Sequence, residues 1–98
     1  MEKQVTKEQI AAWKEAHEGV FKITVEDKVA FLRSPTRKEM EYAGQVAKTS
    51  TIKFNEYCLK TCWLAGDEEI KTKDSYFMGA SGQIAAILNI KESKLEKL

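Results

Sequence analysis

The sequence predicts an α+β fold: an N-terminal helix, a two-stranded β-hairpin, and three helices packed on the hairpin. Three observations carry that reading. Apolar residues recur at spacings of three and four between residues 7 and 18, and again beyond residue 35. Between residues 20 and 33 the period changes to two. Cap and breaker residues, Gly19 and Ser34-Pro35, separate the two regimes. With 98 residues the chain is long enough for one domain and too short for two.

The first helix is expected over 7–18. Thr6-Lys7-Glu8-Gln9 reads as a capping box, with a hydroxyl at the cap and an amide three residues on. Ile10, Trp13 and His17 then share a face, and Gly19 is suited to end the helix in the left-handed conformation. The hairpin spans 20–33. Phe21, Ile23 and Val25 fall on one face of its first strand, and Lys22, Thr24 and Glu26 on the other. Val29-Ala30-Phe31-Leu32-Arg33 is the second strand, and Glu26-Asp27-Lys28 the polar turn between them. That turn lacks glycine, so its type does not set the register. An isolated hairpin is marginally stable in water, so helices must cover its apolar face.

Ser34 as cap and Pro35 at the first helical position start a helix over 35–48, with Met40, Ala43, Val46 and Ala47 facing inward. A third helix over 52–64 carries Ile52, Phe54, Tyr57, Cys58, Leu59, Cys62, Trp63 and Leu64. So wide an apolar surface belongs to a central helix, which Gly66 would end. Asp67 to Lys73 reads as a charged connector. Asp74 would cap a last helix over 75–90, with Phe77, Ala80, Ile84, Ile87 and Leu88 on its face and a frayed extension to 98.

Composition narrows the function classes. Sixteen Lys and Arg oppose 15 Asp and Glu, a net charge of +1 with both signs interspersed. That is neither the basic excess expected of a nucleic-acid binder nor a polybasic membrane signal. Met1-Glu2-Lys3-Gln4 opens no apolar stretch and no run of about 18 apolar residues follows, so neither a leader nor a membrane span is expected. The two cysteines fit a reduced, cytoplasmic setting.

Each candidate for chemistry has a simpler structural reading. Cys58 and Cys62 lie four apart on one helix, where parallel side-chain directions oppose a disulfide, and no further Cys or His pair completes a zinc site. They read as core. His17, the single histidine, has no partner in the sequence pattern that would make it a general base. Gly79-Ala80-Ser81-Gly82 lacks the preceding strand and following lysine of a phosphate loop. Gly79, Gly82 and Ala86 instead form a strip of small residues that lets a neighbour approach closely. Asp67, Glu68 and Glu69 do not alternate as calcium ligands do. No catalytic residue, cofactor or metal site is expected, and the reading is of a protein that is not an enzyme.

What is left is binding. Arg33, Arg37 and Lys38 cluster around Pro35 at a helix N-terminus, suited to an anion or an acidic partner. Tryptophan is enriched at interface hot spots. Trp63, beside Cys62, weighs toward the core; Trp13, flanked by Ala11, Ala12 and Lys14, is balanced between core and surface. Trp13, Arg33, Arg37 and Trp63 are therefore the candidate interface with another protein.

From Val20 onward the chain also resembles the small tail assembly chaperones of long-tailed bacteriophages and prophages. The residues carrying the resemblance are Val20-Phe21-Lys22-Ile23-Thr24-Val25-Glu26-Asp27, Leu32-Arg33-Ser34-Pro35-Thr36-Arg37, and Leu59-Lys60-Thr61-Cys62-Trp63-Leu64-Ala65-Gly66-Asp67-Glu68-Glu69-Ile70. The resemblance implies a non-enzymatic partner for a tape measure protein in the cytoplasm of a bacterial host. Such a protein is long, helical and apolar, and its exposed stripes would aggregate before the tail tube surrounds them. The alternative is a small regulatory or adaptor protein that binds nucleic acid weakly through Arg33, Arg37 and Lys38. Steep salt dependence would mark that alternative.

Overall fold

The computed structural model describes residues 5–88 and 93–98. Its elements run α1 (Lys7–Ala16), β1 (Val20–Val25), β2 (Lys28–Arg33), α2 (Arg37–Ala47), α3 (Thr51–Thr61), β3 (Trp63–Gly66), α4 (Glu69–Thr72), α5 (Asp74–Ser81) and α6 (Ile84–Ile87). The fold is α+β, as the periodicity predicts. The sheet, however, has three antiparallel strands in the order β1-β2-β3, with the hairpin's second strand at the centre.

The capping box opens α1: Gln9 N–H donates to Thr6 Oγ1 at 3.1 Å, and Thr6 N–H to Gln9 Oε1 at 2.9 Å. The helix stops at Ala16, before the predicted residue 18, and His17 is its C-cap in extended conformation. Gly19 is not a left-handed cap. Its role is close approach, since a Cβ there would lie 2.5 Å from Ser34 Oγ and 2.9 Å from the Phe21 ring.

The hairpin register pairs Val25 with Lys28 across the two-residue turn Glu26-Asp27. Without glycine, Glu26 itself takes the positive φ, at 56°. Alternation then divides the sheet into two faces. Ile23, Ala30 and Leu32 are buried on the inner face, and Phe31 lies on the outer one. There α1 covers it: the Trp13 and Phe31 rings sit 5.9 Å apart, tilted 42°.

The inner face meets the helices. Ile23, Ala30, Leu32, Ala43, Cys58, Leu59, Cys62, Ile70, Ala80, Ile84 and Ile87 form one buried cluster. No polar or charged residue among those described is buried with them. Both cysteines are free and buried, in agreement with their core reading.

The start of α2 and the end of α3 also differ from the sequence reading. Thr36, not Ser34, caps α2, because Thr36 Oγ1 accepts from Glu39 N–H and Glu39 reaches back to Thr36 N–H. Ser34 Oγ is buried with no hydrogen-bond partner among the described residues. The third helix ends at Thr61, and Trp63 and Leu64 belong to β3. Leu64 is the extra residue of a bulge, since Phe31 pairs with Ala65 while Leu32 pairs with Trp63. Gly66 ends a strand rather than a helix. Its φ is 143°, and a Cβ there would stand 2.5 Å from the Val29 carbonyl oxygen.

The charged connector is ordered. Ile70 of α4 is fully buried, and Asp67 closes the end of the sheet: its carboxylate accepts from Val29 N–H and its own N–H donates to the Val29 carbonyl, both at 2.9 Å. The predicted last helix is two helices. Asp74 is the first residue of α5, not its cap, and the chain turns at Gly82-Gln83 before α6. Gly79 does permit close contact, against Val25 of β1, with a Cβ position 2.9 Å from Val25 Cγ1. Residues 89 and 90 of the predicted helix lie outside the described residues. Residues 93–98 are exposed and carry no helix, so the expected extension is absent there.

Candidate functional site

The four residues expected to form an interface do not converge. Trp13 is half-buried on Phe31 at the outer sheet face. Trp63 packs against the core, and Lys71 Nζ lies 4.2 Å from its ring centroid, a cation–π contact. These two sites sit on different parts of the molecule, and each tryptophan already has a partner.

Arg33 is occupied as well. Its guanidinium forms a bidentate pair with Glu39, both contacts at 2.8 Å, and also donates to the carbonyls of Ser34 at 3.1 Å and Thr61 at 3.0 Å. The side chains are 17% and 23% exposed, so the pair is sheltered from bulk solvent. The hydrogen bond from Arg33, helped by the amide of Thr36, holds the Glu39 carboxyl down to about 2. Arg33 therefore fastens the end of β2 to the start of α2 and the end of α3. It is withdrawn from the cationic trio that the sequence places around Pro35.

Arg37, by contrast, is exposed at the first turn of α2. With His17, Arg33 and Pro35 it lines a depression of about 330 Å³ between the end of α1 and the start of α2. The carboxylates of the connector are all engaged: Glu69 with Lys28 at 2.8 Å and Lys73 at 3.0 Å, Glu68 with Lys71 at 3.1 Å, and Asp67 with Val29. Among the described residues no group of three or more His, Cys, Asp or Glu is placed to hold a metal.

A second depression lies between α2 and α3. Tyr42 and Tyr57 form a tilted pair there, ring centroids 4.9 Å apart. They line a groove of about 530 Å³ together with Lys38, Glu41 and Gln45. Tyr42 is 56% exposed. Ile52, at the start of α3, is 53% exposed. Helical geometry explains the placement. Met40, Ala43 and Val46 turn the inner stripe of α2 toward the core, which leaves Lys38, Glu41, Tyr42 and Gln45 on the outer side. A large aromatic on the polar side of an amphipathic helix is the sequence signal for this surface. The apolar spacing of α3 by itself assigns Tyr57 to the core and conceals its share in the groove.

No helix among the described residues is long and apolar enough to cross a membrane. Comparison with protein-family models, with curated proteins and with solved structures finds no match.

Proposed function

We propose that this chain is a non-enzymatic protein-binding module that shields apolar helical segments of another protein, in the manner of phage tail assembly chaperones. The observation that carries the reading is the Tyr42–Tyr57 groove between α2 and α3. Two tyrosines line it, among the polar side chains of Thr36, Lys38, Glu39, Glu41 and Gln45. A groove of this kind accepts the apolar stripe of an amphipathic helix. Tyrosine supplies large contact area with little conformational freedom to lose, and its hydroxyl tolerates water before the partner arrives.

On this reading the partner is a long helical protein such as a tape measure protein, met in the cytoplasm of a bacterial host before the tail tube encloses it. Occupation of Arg33 by Glu39 weighs against the nucleic-acid alternative, because it removes one of only three clustered cations.

Co-expression with a long apolar helical protein tests the proposal. The chain should co-purify with that protein and keep it soluble. Tyr42→Ala should cost about 1 kcal/mol of stability, since it removes the ring pair with Tyr57 from a side chain half in solvent. The same change should weaken binding by roughly tenfold or more, as expected for an aromatic anchor. Recovery of the chain alone, or unchanged binding by Tyr42→Ala, would overturn the assignment.

A further inference from the structure

We infer that α1 is a releasable strap over the outer face of the sheet, which opens about His17-Glu18 while the rest of the fold stays closed. No residue of α1 is buried. Only Ile10 and Trp13 are partly sheltered, and its other residues are exposed. Among the described residues, every hydrogen bond of the segment 6–17 closes within that segment, from the Thr6–Gln9 capping box to His17 N–H on the Trp13 carbonyl. No ion pair among the described residues joins it to the body either. What holds α1 down is the Trp13 ring on Phe31, at 5.9 Å, with Ile10 one helical turn before it.

The hinge lies where the chain is first gripped. Ser34 N–H donates to the Gly19 carbonyl at 2.9 Å, and a Cβ at Gly19 would meet Ser34 Oγ at 2.5 Å, so the backbone is pinned from Gly19 onward. His17 and Glu18 precede that grip, belong to no helix or strand, and border the open depression of about 330 Å³ beside α2. The body does not need α1 to stay folded. Its apolar cluster, with the partly buried side chains packed against it, contains no residue of α1. At ten residues α1 is also shorter than the ~12–15 below which an isolated helix is marginal in water, so the helix loosens once Trp13 lifts away. Release uncovers Phe31, which shares the outer face with Val29 by the alternation of β2. Lys22 stays opposite Phe31, its Nζ 6.0 Å from the ring centroid, so the bared ring keeps a cationic neighbour. The strap therefore gates an apolar patch that shares no residue with the Tyr42–Tyr57 groove. The inference goes beyond the groove reading and does not depend on it.

Amide hydrogen exchange of the full chain, followed residue by residue with increasing urea, tests it. The amides of α1 should exchange roughly 100-fold or more faster than those bonding β1 to β2. Their rates should stay nearly flat below the unfolding transition, because the opening exposes little surface. Trp13→Ala should speed exchange in α1 by roughly tenfold and leave the β1–β2 ladder within about twofold. Alanine is the better helix former, so that loss would come from the missing contact and not from helix propensity. Trp13→Phe, which keeps a ring on Phe31, should restore most of the protection. Exchange of α1 only with unfolding of the whole chain, a Trp13→Ala chain that no longer folds, or α1 exchange indifferent to residue 13 would each overturn the inference.

Discussion

Arg33 has surroundings that bear directly on stability. Its fork joins Glu39 at 2.8 Å and reaches the carbonyls of Ser34 and Thr61, so one side chain connects β2, α2 and α3. The consequence is a defined pH dependence. Glu39 titrates at about 2 in the folded chain, against an ordinary value of 4.5. The unfolded chain therefore binds this proton more readily than the folded one. Stability from the pair is full above the ordinary carboxylate value and is lost as pH falls from about 4.5 toward 2. Glu39→Gln should cost on the order of 2 kcal/mol at neutral pH and flatten the acid limb of stability, read by urea titration at several pH values. Glu69 is also depressed to about 2, by its hydrogen bonds to Lys28 and Lys73, but it is exposed to solvent and its pair is screened.

Among the elements, the hairpin and β3 are held by two unusual backbone positions with opposite prospects. Glu26 adopts φ 56° without glycine's freedom. Placing a side chain in the left-handed region costs about 1–2 kcal/mol, so Glu26→Gly should raise stability by about 1 kcal/mol in urea unfolding. Gly66 is the reverse case. At φ 143° any Cβ would meet the Val29 carbonyl oxygen at 2.5 Å and Ala30 Cα at 2.7 Å, both backbone atoms that cannot swing aside. Gly66→Ala should cost about 3 kcal/mol and loosen β3, visible as faster amide exchange at Asp67, whose N–H bonds the Val29 carbonyl at 2.9 Å. The break at Gly82-Gln83 belongs to this scale too. It divides the last helical segment so that Ala80 of α5 and Ile84 and Ile87 of α6 all reach the same core.

In the whole molecule, one apolar cluster joins the inner sheet face to the helices, and both thiols lie in it. Burial pushes Cys58 up to about 11 and Cys62 up to about 12, so neither presents thiolate at neutral pH. A thiol reagent should label the native chain only as fast as it opens. Labelling rates should rise with urea in step with unfolding, and rapid native-state labelling would contradict this packing. The same core separates two kinds of surface tyrosine contact. Tyr57 rests against the cluster, while Tyr42 stands over it toward solvent, which is why the groove presents aromatic surface without weakening the interior.

Much of this was legible in the residues themselves. Thr6 and Gln9 announce α1, the two-residue period of Phe21, Ile23 and Val25 announces β1, and the stripe of Phe77, Ala80, Ile84 and Ile87 marks the last apolar face. These features depend on neighbours within a turn of helix or along a strand, and local order encodes them. The structure alone decided that Trp63-Leu64-Ala65-Gly66 is a strand, although the same residues extend a helical pattern. It alone decided that Arg33 binds Glu39 and Thr61 rather than a partner, and that Tyr42 and Tyr57 share a groove. The physical reason is separation along the chain. β3 exists because β2 offers it a ladder, and Asp67 closes that ladder on Val29, 38 residues away. No local periodicity records such a contact, since the strand state of so short a segment is set by what it pairs with.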